Sequence, residues 1–220
     1  TFGAHLAGDP RLSVLFAPGS SATTIVGMPN GSTSDTYTNK NGVVVPGVAN
    51  RMIYAETASA LRGKDVPMVF QTYAEVEFLK AEAAIRGWIS TSAEDHYNAG
   101  VTAAMKMLKQ LYPATTAITD AEITAYLSGP GAYDSTKGWE MAMNEYWKAT
   151  FLNEYEAYAN WRRTAYPTLT PTAHPSQVAN GIFRRMIYPG GESATNGDNY
   201  AAAIARQGED TWMTRMWWDK

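Results

Sequence analysis

The sequence has 220 residues, 18 basic against 21 acidic, with 45% hydrophobic and 12% aromatic content. That apolar share can offset the ordering entropy of a folded core, which excludes wholesale disorder, and the formal net charge of −3 excludes the basic excess that a nucleic-acid partner demands. Cysteine is absent, which removes disulfide scaffolds, thiolate zinc sites and cysteine nucleophiles together, and the histidines His5, His96 and His174 have no metal-ligand spacing, so neither metal nor cofactor is expected.

Residues 1–66 are punctuated by Asp9-Pro10-Arg11, Pro18-Gly19, Met28-Pro29-Asn30-Gly31 and Val45-Pro46-Gly47. Proline fixes φ and glycine admits positive φ, so this region reads as loops with a helical turn or two. Gly42 to Val45 is its best strand, and Ser32 to Tyr37 reads as polar and exposed. Such loops are where ligand contacts usually sit.

From Pro67 the apolar residues Met68, Val69, Tyr73, Val76, Leu79 and Ala83 follow a helical period that Gly87 closes. Ser90-Thr91-Ser92 then offers a capping hydroxyl with Glu94 and Asp95 behind it, and Tyr97, Val101, Met105 and Leu108 carry a second helix to Tyr112. Residues 67–112 therefore form a helical hairpin. Ala81, Ala83, Ala84, Ala93, Ala99, Gly100 and Ala103 let its backbones approach closely, as in tetratricopeptide units, and no second copy of the unit occurs in the chain.

Residues 113–163 hold further helices: a capping box at Thr119-Asp120-Ala121-Glu122 opens a short one that ends near Gly129-Pro130-Gly131. A single aromatic helix is then predicted from Gly138 to Trp161, because Trp139, Met143, Trp147, Phe151 and Tyr155 recur every four residues while Met141, Tyr146, Leu152 and Tyr158 fill other faces. It reads as the core, surrounded by protein. The tail, 164–220, returns to turns, with one helical stretch around Asn199 to Arg206 and Trp212, Trp217 and Trp218 at its end.

The fold class is thus mainly α, a hairpin of the tetratricopeptide type wrapped by long irregular segments, and the chain is treated as a single unit. No run of about 18 apolar residues reads as a membrane span. Thr1-Phe2-Gly3-Ala4-His5 carries neither an initiator Met nor a secretory signal, so the chain reads as a piece of a longer protein.

Chemistry-bearing residues are few. Arg162-Arg163 and Arg184-Arg185 are read as structural guanidiniums that bind carboxylates and carbonyls, with Trp161 stacking on its arginine neighbours. Glu75 and Glu82 stand two turns apart, about 10 Å by helix rise, near the separation of an inverting glycosidase's carboxylates. Helix faces carry such glutamates routinely, and Arg86 is an i, i+4 partner for Glu82. His96 is read as a surface histidine. No nucleophile elbow or phosphate loop appears, and no catalytic residue is assigned.

Four strings stand in order: Tyr73 to Ala83 with Arg86-Gly87-Trp88; Tyr97-Asn98-Ala99-Gly100-Val101; Trp161-Arg162-Arg163-Thr164-Ala165-Tyr166-Pro167; and Arg185-Met186-Ile187-Tyr188-Pro189. With Asp9-Pro10-Arg11-Leu12 before them, Glu192 and Asn196 after, and Trp217-Trp218-Asp219 at the end, the series resembles the carboxyl-terminal half of the SusD/RagB family, in its starch-binding-associated subgroup. The resemblance implies a surface lipoprotein of a Gram-negative outer membrane, anchored by a lipid on an amino-terminal cysteine and seated as a lid on a SusC-like TonB-dependent transporter. Members of that family capture oligosaccharides, or in some branches peptides, and are not catalysts. This chain would then be the second part of a protein more than twice as long.

Sugar capture needs flat apolar rings for stacking and a few amides or carboxylates for hydroxyls. Outside the helical stripes the sequence offers Asn30, Tyr37, Asn39, Tyr54, Tyr133 and Asp134 as candidate ligand contacts. Two rivals stand beside this reading: a tetratricopeptide scaffold that shares the hairpin, binds a protein segment and predicts no sugar binding, and a glycoside hydrolase with a helical body that would need Glu75 and Glu82.

Overall fold

Side-chain caps and two glycines decide where the central helices start, stop and touch. A computed structural model describes residues 2–29, 31, 33–45, 47–48, 51–171 and 181–219. Asn30, Ser32, Pro46, His174 and Pro175 lie outside the described residues. Among the described residues the chain is mainly helical: α1 (Arg11–Leu15), α2 (Tyr73–Ile85), α3 (Ala93–Leu111), α4 (Asp120–Leu127), α5 (Gly138–Ala149), α6 (Glu154–Thr164), α7 (Glu192–Thr195) and α8 (Gly197–Gln207).

Helix α2 begins at a capping box that the proline signal obscured. Thr72 Oγ1 accepts from the Glu75 amide at 3.2 Å, and Glu75 Oε1 accepts from the Thr72 amide at 2.9 Å. The helix therefore starts at Tyr73, and Pro67 to Gln71 form an irregular approach to it rather than its first turn. It ends as predicted: Gly87 at φ 72° lets its own amide donate to Ala84 and the Trp88 amide donate to Ala83. Ser92 caps α3 by accepting from Asp95 at 3.1 Å, and Thr119 with Glu122 caps α4, both as expected.

Burial then outweighs capping. Phe78, Tyr97, Val101, Met105 and Met143 are fully buried where α2, α3 and α5 meet. Each such large side chain contributes about 1.5–3 kcal/mol, against about 1 for a cap. Gly100 sets how close α3 comes to α2, since a Cβ there would lie 2.6 Å from the Phe78 ring.

The predicted single helix from Gly138 to Trp161 is two helices. Helix α5 stops at Ala149, Leu152 adopts φ 72°, and α6 sets off again after Asn153. The four-residue aromatic spacing runs through the break unaltered, so periodicity alone did not reveal it. Nor is the segment surrounded by protein: Met143 and Tyr146 are buried, but Tyr155 is 86% exposed.

The loop-rich first part carries two small antiparallel ladders, β1 (Phe16–Ala17) with β4 (Glu56–Thr57), and β2 (Tyr37–Thr38) with β3 (Val44–Val45). The second includes the strand expected near Val45. Tyr37 belongs to this ladder and is half-buried, so it is not part of an exposed polar run. Gly19 holds the 15–25 and 51–57 segments together, because a Cβ there would meet the Met52 carbonyl at 2.1 Å.

Gly100→Leu should force these helices apart. Overpacking a filled core costs about 1–3 kcal/mol or more, which outweighs the gain of about 1 kcal/mol in helix propensity. Thermal unfolding of the variant should show a midpoint several degrees below the parent; an unchanged midpoint would mean the α2–α3 contact is not close-packed.

Candidate functional site

The buried charges come first, because they decide which side chains remain available for a ligand. Arg11, 1% exposed, binds Asp9 through Nε at 2.9 Å and through Nη2 at 2.5 Å, and reaches Glu145 of α5 at 2.6 Å. Glu145 also accepts from Tyr126 of α4 and from Lys148, each at 2.7 Å. Burial pushes the Glu145 carboxyl upward, but Arg11 and Lys148 outweigh it and hold it at about 2. Burial acts to lower the Arg11 guanidinium, and Glu145 and Asp9 raise it above the ordinary arginine range. The phenol of Tyr126 is pushed up by burial and by the Glu145 charge.

Five further arginines hold carboxylates or carbonyls in the same way. Arg163 of α6 makes a fork to Glu82 of α2, Nη1 at 2.6 Å and Nη2 at 2.7 Å, and Arg86 adds a third bond to that carboxylate at 2.9 Å. Arg184 pairs with buried Asp219 through both Nε and Nη2, while Arg162 donates to the Arg184 carbonyl at 2.9 Å. Arg185 binds Asp210 at 3.0 Å. The structural reading of both arginine pairs therefore describes them correctly. The stacking assignment needs correction: Trp161 lies under Arg184 at 4.6 Å, whereas Arg162 lies over Tyr158 at 4.3 Å and Trp218 at 4.6 Å. The chain brings residues far apart in sequence to those rings, which neighbour-based reasoning does not see.

His96 is not a surface histidine either. Its Nδ1 lies 2.6 Å from Glu77 and its Nε2 2.8 Å from Thr91, so it ties α3 to α2 and to the turn between them. Burial raises the Glu77 carboxyl, but Lys80, His96 and Tyr73 together bring it below its usual range.

The two carboxylates a hydrolase would require are both enclosed. Glu82 is held by Arg163 and Arg86. Glu75 is raised by burial, against the lowering bonds from Thr72, and also receives the Tyr146 hydroxyl at 3.4 Å. The cavity that Glu75 helps to line measures about 20 Å³, room for a water molecule and far too small for a pyranose ring. Among the described residues no group of three His, Cys, Asp or Glu side chains is placed to hold a metal ion.

The described candidate ligand contacts lie on three separate segments. Tyr37 and Asn39 share the β2–β3 hairpin. Tyr37 donates its hydroxyl to the Gly31 carbonyl at 2.9 Å, and Asn39 Oδ1 accepts from the Asn41 and Val43 amides, which shapes the turn. Tyr54 follows the exposed Met52 and Ile53, and the next amide, that of Ala55, donates to Val26 at 2.7 Å. The exposed Val26 and Met28 thus extend the apolar loop surface beside Tyr54. Tyr133 and Asp134 stand instead between α4 and α5. The Tyr133 ring lies 5.2 Å from that of buried Tyr97, and Asp134 Oδ1 accepts from the Thr136 amide and hydroxyl, which depresses its pKa. Asn30 lies outside the described residues.

One aromatic recess was missed. Trp147, Phe151, Tyr158 and Trp161 line a cleft of about 310 Å³ at the α5–α6 break, with His5 edge-on to Trp147 at 5.2 Å. Sequence reasoning placed these rings in one continuous helix. The signal that could have located the recess is Asn153 ahead of Glu154 and Glu156, a helix start inside the aromatic run.

The geometry is that of a tetratricopeptide-like helical frame in which Glu82, Glu145, Asp210 and Asp219 are held in ion pairs and the loops carry exposed apolar side chains. Residues 5–189 match the SusD-like family described as starch-binding and associating with the outer membrane, and the chain belongs to that family. No curated protein matches the sequence. Among solved structures it is similar to a chitin-binding protein at 29% identity and a TM-score of 0.78, over 98% of this chain and 48% of that one. It is likewise similar to a SusD-like protein of the Bacteroidetes at 27% identity and a TM-score of 0.83, over 100% and 52%. A SusD homologue from Bacteroides fragilis, 23% identical with a TM-score of 0.74 over 100% and 51%, shares the fold. The chain spans about half the length of each of these structures. No helix among the described residues is long and apolar enough to cross a membrane.

The depressed carboxyl of Glu145 makes a directional prediction. Its stabilisation is complete above the unfolded value of 4.5 and is lost as pH falls through about 2. Urea midpoints of the parent should therefore drop between pH 4.5 and 2, and Glu145→Gln should flatten that limb while costing about 1–3 kcal/mol at neutral pH by removing one of the two carboxylates on buried Arg11. An acid limb of equal slope in the variant would show that another group controls it.

Proposed function

We propose that this protein captures oligosaccharide at the outer surface of the cell and passes it to a SusC-like TonB-dependent transporter, anchored to the outer membrane by a lipid on an amino-terminal cysteine. The observation that carries the reading is the family match over residues 5–189, joined to 29% identity with a chitin-binding protein across nearly the whole chain. Capture is non-covalent and no bond is made or broken. The burial of Glu75 and the ion pairs at Glu82 support that, since neither carboxylate has room beside it for a sugar.

Tyr37, Asn39 and Tyr54, with Asn30 near them in sequence, form the ligand surface of this proposal. A pyranose ring presents axial C–H groups to an aromatic face, so a tyrosine ring can hold it even when the tyrosine hydroxyl is engaged by the backbone, as it is in Tyr37. The exposed apolar side chains at Val26, Met28, Met52 and Ile53 widen the contact. Tyr133 and Asp134 act through the frame: the first packs on Tyr97 and the second caps the turn that leads into α5. Release follows from opening of the lid, which requires only that the loops bind cargo more tightly in the closed arrangement than in the open one.

Calorimetry on the whole protein with chitin and starch oligosaccharides tests this. Binding should be measurable, Tyr54→Ala and Tyr37→Ala should each weaken it about 5–30-fold, equivalent to about 1–2 kcal/mol, and no reducing ends should be released on long incubation. Binding of peptides in place of every glycan would move the cargo to the peptide class. Reducing-end release that vanishes in Glu82→Gln would overturn the non-catalytic reading.

A further inference from the structure

Four Asn-Gly pairs stand in the sequence, at 30–31, 41–42, 180–181 and 196–197. Asn30 and Asn180 lie outside the described residues, which leaves Asn41-Gly42 and Asn196-Gly197. An asparagine followed by glycine is open to one particular reaction, because the missing Cβ lets the next amide nitrogen reach the side-chain carbonyl carbon. Sequence makes the two pairs alike, and the fold separates them.

Asn41-Gly42 turns the β2–β3 hairpin. The Gly42 amide donates to the Asn39 carbonyl at 3.0 Å and the Asn39 amide donates to Val43 at 2.9 Å, with Gly42 at φ 78°. Both residues of the pair are exposed, and a Cβ on Gly42 would meet nothing within 4 Å. Asn41 is tied through its backbone, whose amide donates to Asn39 Oδ1 at 2.9 Å, while its side-chain carboxamide has no partner among the described residues. The ladder behind the turn is short, Tyr37 with Val45 and Thr38 with Val44. One exposed hydrogen bond is thus what keeps the Gly42 nitrogen from the Asn41 carboxamide.

Asn196-Gly197 is exposed too, but its carboxamide is held at both ends. Nδ2 donates to Glu192 Oε1 at 2.7 Å, Oδ1 accepts from Asn199 Nδ2 at 2.6 Å, and the Asn196 carbonyl accepts from the Tyr200 amide at 3.0 Å as α8 begins. Turning that carboxamide toward Gly197 breaks two side-chain bonds and disturbs a helix start.

We infer that Asn41 is a site of spontaneous covalent modification, deamidation through a cyclic imide. The Gly42 nitrogen attacks Asn41 Cγ, an N–Cγ bond forms and the Cγ–Nδ2 bond breaks, and the proton of the Gly42 amide leaves with the NH2 group as ammonia. Water then opens the imide at either carbonyl, giving aspartate or isoaspartate. Both products add a negative charge. Isoaspartate also routes the backbone through Cβ, which lengthens the turn beside Asn39, whose Oδ1 accepts from the Asn41 and Val43 amides only at the original spacing. The hairpin that carries Tyr37 therefore has a fresh form and an aged one.

The test incubates the protein, expressed from its whole coding sequence, in mildly alkaline buffer, then digests it with pepsin at low pH, which halts the imide chemistry, and localises the products by tandem mass spectrometry. Asn41 should gain about 1 Da. In the folded protein it should do so about tenfold or more faster than Asn196, whose two side-chain bonds must first open. In urea, where the fold is lost, the two positions should react at the same rate. Asn41→Gln, whose longer side chain would have to close a larger ring, should remove the gain. Equal rates at Asn41 and Asn196 in the folded protein overturn the inference, as does a gain at Asn41 that appears only after unfolding. A gain of the same size in the Asn41→Gln variant assigns the reaction to a neighbouring asparagine and overturns it as well.

Discussion

Removing a guanidinium from water is affordable only if anions enclose it, and the Arg11 side chain meets that condition by pairing with Asp9 beside it and Glu145 more than a hundred residues later. Because the group is buried, the segment before α1 has no freedom to detach from α5 without stranding charge. Tyr126 and Lys148 draw α4 and a second turn of α5 into the same cluster. The loop-rich first part of the chain, which has almost no regular structure of its own, takes its position from this contact.

The same solution recurs where segments distant in sequence meet. Arg163 joins α6 to α2 through Glu82, and within the tail Arg184 pairs with Asp219 and Arg185 with Asp210. Planar guanidiniums suit this work, since they satisfy a carboxylate bidentately and stack on rings with the remaining face. Arg184 does both at once, on Asp219 and on Trp161. The cost of the scheme is chemical: the buried acids that could have served as general acid or base are neutralised or enclosed.

Much of this was legible in particular strings. Asp9-Pro10-Arg11, Trp161-Arg162-Arg163, Arg185 and Trp218-Asp219, which fall in the strings that carry the family resemblance, supply ion-pair clamps and stacking partners. Helix ends were readable where a hydroxyl and a carboxylate three residues apart stand ahead of the apolar run, as at Ser92 and Thr119. They were misread at Pro67, because proline is equally at home in an extended approach and the decisive Thr72–Glu75 pair lay inside the apolar run. The proposed ligand surface was harder to read. Tyr133, whose ring lies against buried Tyr97, and Tyr37, which pairs in a hairpin, are both half-buried and look alike in one dimension.

By itself the sequence determined the helical class, the close seam between α2 and α3, and the structural use of the arginine pairs, since these follow from local periods, caps and residue chemistry. Only the tertiary structure decided which ring each arginine stacks on, that His96 ties two helices together, and that the aromatic run breaks after Ala149. Each of those depends on partners distant along the chain or on a backbone turn such as Leu152, where φ is positive without a glycine to announce it. Local pattern records what a side chain can do; burial and distance record what it is doing.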